Sequence, residues 1–291
     1  MKFNKTYLIL FLGMTLWGLL PLFTHKYVMT IDPLFLVSIS TITASIPFFI
    51  LLLAGKQIRN FFSINFLKDI FWVATLTAIG QGLLFIGTKL TSGTNTGLLL
   101  QSEPIYSLIL GAIFLGEIIS GGQILATLFM VLGAMAIVYR GGSSLNLGDI
   151  FILLSPLMFQ MSHLMGKKLL NRKISVNMIL AGRQFFGGLI LVFFTLITSK
   201  STVVFNIHNF GVGLYLGMLT AIVALCWYSS IKKIPVSTAS SFLPLTALVS
   251  LLGSVFFLKE IVGIQQYIGF FLIVGGMIWQ ANLHVHKVLT S

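Results

Sequence analysis

Ten runs of about 20 predominantly apolar residues follow one another through the 291-residue chain, and that length lets a helix cross the hydrocarbon core of a bilayer. They fall at approximately 7–28, 34–54, 70–88, 95–115, 122–138, 149–167, 176–198, 210–230, 237–257 and 264–283. Membrane-barrel strands alternate polar and apolar residues over about ten positions, and these runs do not. Hydrophobic residues make up 57% of the chain and charged residues 8%, whereas a soluble domain needs about a quarter of its residues charged. The expected fold class is an all-α integral membrane protein with ten transmembrane helices.

A net charge of +12 would suggest nucleic acid as partner in a soluble chain. Here the basic residues sit in short clusters between apolar runs, with no long basic face, so no nucleic acid is expected and the charges read as orientation signals. With the amino terminus inside, the inner segments hold Lys2, Lys5, Lys56, Arg59, Lys68, Lys167, Lys168, Arg172, Lys173, Lys232, Lys233 and Lys287. The outer segments hold only Lys26, Lys89, Arg140, Lys200 and Lys259, which predicts both termini in the cytoplasm of a cell with this protein in its inner membrane. The start MKFNKTYLILFLGMTLWGLL has lysines before an apolar core, as a signal peptide does; no small-x-small cleavage site follows, so a retained first span is expected. The single cysteine, Cys226, excludes an internal disulfide framework and a multi-cysteine metal site. Neither an H-E-x-x-H zinc motif nor a Walker G-x-x-x-x-G-K-[ST] motif occurs, so neither zinc-hydrolase chemistry nor an ATP-driven cycle within this chain is expected, and no cofactor or metal either.

The two halves of the chain resemble each other. At a constant offset of 143, Glu117 falls on Glu260, Ile118 on Ile261, Gln123 on Gln266, Val131 on Val274 and Gly133 on Gly276, and the same offset superposes the span boundaries. It also places Trp17 on Gln160 and Lys89 on Lys232. Five spans per half is an odd number, so the second half enters the membrane from the opposite side. Residues 1–143 and 144–291 are thus expected to form two inverted five-helix repeats, the arrangement of many secondary transporters that expose a midplane site alternately to each side.

Three local patterns carry a family resemblance: LWGLL at 16–20; EPIYSLILGAIFLGE at 103–117 with Pro104, Gly116 and Glu117; and the glycine pattern QILATLFMVLGAMAIV at 123–138, with its counterpart FFLKEIVGIQQYIGFFLIVGGMI at 256–278. In their order and spacing the whole chain resembles the drug/metabolite transporter superfamily, specifically its EamA-type ten-helix transporters. Members often carry an arginine early in both the second and seventh spans; here the seventh has Arg183 and the equivalent position in the second is Ser40. Lys259 likewise stands where Gly116 precedes the first-half glutamate. The resemblance implies export or exchange of a small metabolite such as an amino acid, amine or related compound, through a cavity lined mainly by spans one, three, four, six, eight and nine. The alternative is a lipid or lipid-linked small-molecule flippase and, behind it, an intramembrane enzyme, for which neither H-E-x-x-H nor a second deep carboxylate is present, so no enzymatic activity is expected.

Polar groups inside the spans are candidates for the substrate site, because an ionisable side chain is costly in lipid and belongs on the bundle interior or a wet cavity. Glu103 lies about eight residues, or roughly 12 Å, into the fourth span, and Pro104 beside it removes a backbone donor. Burial disfavours the charged form of a carboxyl group, which would suit proton coupling through Glu103. Trp17, Gln81, Gln160 and Thr246 lie at similar depth, and Trp17 with Gln160 and Glu103 with Thr246 are equivalent pairs under the repeat. Tyr106 and His163 complete the expected substrate-binding set, His163 as a proton relay or a packing residue and a poor metal candidate on its own. Arg183, about seven residues into its span, is expected to snorkel to the cytoplasmic surface. Glu117 and Glu260 are expected to cap the fifth and tenth helices, and Trp72, Trp227 and Trp279 to sit in the aromatic belt. Gly133, Gly269, Gly275 and Gly276 predict close helix approach, either inside one chain or in a homodimer.

Overall fold

The structure, a computed structural model, describes residues 5–115, 120–138, 146–198, 206–233, 239 and 242–289, and these residues contain helices and no strand. In chain order the helices are α1 (Lys5–Val28), α2 (Pro33–Ala54), the short α3 (Ile58–Phe61), α4 (Ile64–Leu90), α5 (Gly93–Leu99), α6 (Glu103–Leu115), α7 (Gly121–Val138), α8 (Leu147–Asn171), α9 (Val176–Thr198), α10 (Ile207–Ile231), α11 (Leu243–Gly253) and α12 (Ile264–Leu289). By length and apolarity α1, α2, α4, α8, α9 and α10 can each cross a membrane, and shorter apolar helices lie at Gly121–Ile137, Leu245–Leu258 and Ile264–Trp279. The fourth expected span is not one helix. A 3-10 turn at Leu100–Ser102 separates α5 from α6, and Glu103 opens α6.

Local sequence explains where the helices begin. Asp32 accepts from the Phe35 amide at 2.9 Å just before Pro33, so α2 starts with a capped amide and a residue that has no amide to satisfy. Asn146 and Asn206 cap α8 and α10 in the same way, through the amides of Gly148 and Asn209. At α7, Gln123 accepts from the Ser120 amide at 2.8 Å while Ser120 Oγ accepts from the Gln123 amide at 3.3 Å, a reciprocal capping box. Its repeat partner Gln266 accepts from the Gly263 amide at 2.6 Å ahead of α12. This corrects the expected role of Glu260: the side chain that reaches back to the start of α12 is Gln266, and Glu260 points elsewhere. Glu117 lies outside the described residues.

The helix ends are as specific. Lys56 and Lys173 sit in the left-handed region, φ 52° and 62°, and the next amide in each case reaches back to the carbonyl five residues earlier, Gln57 to Leu52 and Ile174 to Leu169. Each closes its helix with a Schellman turn and adds a cation where the helix dipole is negative. After α11 a π-helical turn, Ser254–Leu258, ends at Lys259, which has φ 54°.

Helices pair through small residues and buried hydroxyls. α4 lies against α8, α7 against α12, and α2 against both α9 and α10; α1 packs on α10 and α11, and α4 also touches α9. A Cβ on Gly87 would stand 3.0 Å from the Gly148 carbonyl oxygen, and one on Gly148 2.8 Å from that of Gly87. The α7–α12 pair shows the same intimacy at Gly133 and Gly269, with corresponding distances of 2.8 Å and 2.7 Å, and again at Gly276. These contacts are within one chain, and Gly275 takes no part, since a Cβ there meets nothing within 4 Å. The outside of the bundle is apolar. Phe256 is 73% exposed and Leu196 74%, surfaces that lipid solvates and water does not.

Candidate functional site

Residues of α1, α4, α6, α8, α9, α10 and α11 together line a partly open cavity inside the bundle. Met14 and Trp17 of α1, Gln81 of α4, Glu103 of α6, and Phe159 with His163 of α8 form part of the wall. Arg183 and Gln184 of α9, five residues of α10 from Thr220 to Tyr228, and Leu243 of α11 form the rest. The expected ring of spans one, three, four, six, eight and nine is thus widened by the seventh, and the ninth contributes only Leu243.

Of the seven residues expected at the substrate site, Trp17, Gln81, Glu103 and His163 meet at this cavity. Gln160 stands just behind it: its side-chain N–H donates to Glu103 Oε1, which fixes the carboxylate from one side. His163 lies one turn further along α8, with Nδ1 3.9 Å from the same oxygen. Tyr106 and Thr246 do not line the cavity. The Tyr106 hydroxyl donates to the Leu153 carbonyl at 2.7 Å and so ties α6 to α8. Thr246, fully buried, is 2.8 Å from Gln101 Oε1 and 2.7 Å from the Leu243 carbonyl, joining α11 to the 3-10 turn.

Two residues expected elsewhere belong to the wall. Arg183 does not snorkel: it is 7% exposed, its Nε–H donates to Thr77 Oγ1 at 2.9 Å, and Nη1 lies 3.4 Å from the Tyr228 hydroxyl. Thr77 and Tyr228 come from helices on either side of α9, so the guanidinium finds its partners sideways before it could reach the surface. Trp227 is 8% exposed and tilts against the His163 ring at 6.2 Å, whereas Trp72 and Trp279, at 58% and 38%, face outward as belt residues do. A depth count along one helix gives no sign of which way a side chain faces, and that omission misplaced both.

Three of the six buried side-chain polar atoms without a hydrogen-bond partner among the described residues, His163 Nδ1, Gln184 Oε1 and Trp227 Nε1, belong to residues of the cavity wall; the others are Thr24 Oγ1, Thr41 Oγ1 and Ser102 Oγ. Buried polar atoms are nearly always bonded, so these wall residues carry hydrogen-bonding capacity that the chain itself does not use.

Away from the cavity, where α1 and α4 end and α5 and α8 begin, polar groups interlock. Glu260 accepts from the amides of Gly93 and Thr94, each at 2.8 Å, and from the Thr94 hydroxyl. It therefore caps α5, a helix of the other half, with His25 Nε2 at 3.7 Å and His25 Nδ1 against the Thr88 carbonyl at 3.0 Å. Beside it the fully buried Asp149 accepts from Thr91 Oγ1 at 2.5 Å and from Asn95 at 3.3 Å, while Gln266 donates to Asn95 Oδ1 at 3.2 Å. The Gly87–Gly148 contact closes the same end.

Comparison with known proteins agrees with this architecture. Residues 4–139 and 146–280 each match the profile of the EamA-like transporter family. An uncharacterized transporter of Bacillus subtilis (strain 168), YetK, is 27% identical over 223 residues, covering 72% of this chain and 67% of that protein. An uncharacterized transporter of Archaeoglobus fulgidus is 25% identical over 278 residues, covering 94% and 97% of the two chains. A solved crystal structure superposes with a TM-score of 0.69 at 15% identity over 96% of this chain and 98% of the other, a likeness that speaks to the fold.

Proposed function

This chain belongs to the EamA-like transporter family, and from that premise we propose that it is a secondary transporter which moves a small metabolite through the cavity by alternating access. It is a multi-pass membrane protein. In this reading it crosses the cytoplasmic (inner) membrane ten times as two inverted repeats, 1–143 and 144–291, with both termini in the cytoplasm, and exports or exchanges an amino acid, amine or related compound without catalysing a reaction on it. The observation that carries the proposal is the cavity itself: both halves line it, and one end of the bundle is tied shut across the two halves by the Glu260 clasp.

The pairing of helices supports the inverted repeat. Exchanging the halves sends span two to seven and five to ten, and α2 does pack on α9 and α7 on α12. The same exchange turns the contact of α4 with α8 into that of α10 with α1, and the contact of α2 with α10 into that of α9 with α4; all four exist. A set of contacts that maps onto itself is what a pseudo-two-fold axis in the membrane plane produces, with the cavity between the repeats.

Glu103 is the proton-coupling group in this proposal, since it lies on the cavity wall within reach of Gln160 and His163. Glu103→Gln keeps the side-chain size and an acceptor for Gln160 but removes the ionisable oxygen. Reconstituted in liposomes with a substrate found by thermal-shift screening, the variant is expected to lose at least about tenfold in pH-gradient-driven flux, with unaltered insertion. Equal flux for both proteins at two pH values would rule out coupling through this carboxylate.

A further inference from the structure

Among the described residues Arg183 has no anionic partner; the ion pairs there join His25 to Glu260, His163 to Glu103 and Arg172 to Asp69. Its two hydrogen bonds go to neutral hydroxyls, Thr77 Oγ1 through Nε and Tyr228 through Nη1, and Nη2 has no partner among the described residues. The Tyr228 ring lies under the guanidinium at 5.9 Å. Thr77 is itself pinned by the Val73 carbonyl at 2.8 Å and Ser162 Oγ at 2.9 Å. The cation is thus held on the cavity wall with no carboxylate in ion-pair contact; Glu103, on the same wall, acts on it only through space. On the same wall, Trp227 Nε1–H is a buried donor without an acceptor.

We propose that Arg183 and Trp227 form an anion-docking subsite that takes the carboxylate of a small monoanionic ligand, the planar guanidinium matching two carboxylate oxygens and the indole N–H adding a third donor. Phe159, Val223, Ala224 and Leu243 of the same wall offer a surface for an apolar or aromatic body, beside the polar Gln81, His163, Gln184 and Thr220. When ionised, Glu103 on the same cavity is a through-space counter-charge to Arg183 and repels a second negative charge on the ligand. This assignment rests on the cavity being the transport site, and it gives Arg183 a ligand-contacting role.

The test uses the purified full-length protein in detergent, with thermal stability and intrinsic tryptophan fluorescence as readouts. The probes are two matched series: phenylacetate, phenylacetamide and phenethylamine; and 4-methylvalerate, 4-methylvaleramide and isoamylamine. The carboxylate of at least one series is expected to bind wild type more tightly than its amide and amine. Arg183→Gln should weaken that carboxylate by at least about thirtyfold, as expected for removing one partner of a buried charge pair, and Arg183→Lys should restore part of the loss. Trp227→Phe, which removes the N–H together with the pyrrole part of the indole, should weaken it by about tenfold and weaken the amide less. Should Arg183→Gln fail to fold, the lysine and phenylalanine variants carry the test. Amides or amines binding as well as the acids, or carboxylate binding indifferent to these substitutions, would overturn the anion subsite and leave the transport reading standing. No response to any probe would count against the cavity as a small-molecule site, and the subsite would fall with it.

Discussion

The clasp and the cavity are built from the same kinds of polar side chain, and they differ in what those side chains touch. At the clasp, Glu260 takes three donors, and Asn95 both gives to Asp149 and receives from Gln266. At the cavity, Gln184, Trp227 and His163 each leave an atom unbonded, and Arg183 hydrogen-bonds only neutral hydroxyls. Matched polar groups hold helices together; unmatched ones on a cavity wall keep hydrogen-bonding capacity to spare. The contrast predicts that substitutions at the two places act on different observables, stability at one and ligand binding at the other.

The hardest test of that separation is Glu260→Ala, which strips a carboxylate from two helix-end amides and a hydroxyl. It should cost about 2–3 kcal/mol of stability, read as a fall in unfolding temperature in detergent, and it should raise hydrogen exchange at the Gly93 and Thr94 amides. An unaltered unfolding temperature would mean that the clasp is not a structural tie. A smaller effect of opposite sign is expected at Lys259, whose φ of 54° turns the chain toward the clasp. Lys259→Gly removes the Cβ penalty of the left-handed region and should stabilise the fold by about 1 kcal/mol; destabilisation would show that the lysine side chain matters more than its backbone. Trp227→Phe tests the cavity side of the contrast. Its indole N–H bonds nothing, so thermal stability without ligand should fall only by about 1 kcal/mol for the buried volume it vacates, and a larger loss would place Trp227 with the scaffold.

Much of this was legible in the sequence. Long apolar runs predicted a helical membrane bundle, and the motifs from LWGLL onward led to the family that the chain belongs to. Glu103 stood out by depth alone and lines the cavity with Trp17, Gln81 and His163. What failed was direction around the helix axis. Distance from a span end misplaces Arg183 and Trp227, because their environments come from Thr77 and Tyr228 in one case and His163 in the other, residues remote in sequence. Position along the chain points Glu260 to the helix that follows it, whereas its carboxylate caps α5. The one cue available was that Gln266, at the third position of a capping turn, already supplied the tenth helix.

The turn at Leu100–Ser102 explains why counting along the fourth segment goes astray. A 3-10 residue advances about 120° around the axis and an α-helical one about 100°. Three such residues therefore introduce a phase slip of about 60° and lengthen the segment by about 1.5 Å. The azimuth of every side chain beyond Ser102 is offset by that angle from a wheel drawn through α5. Glu103 and Tyr106 inherit the offset together: one is turned onto the cavity wall and the other onto the backbone of α8.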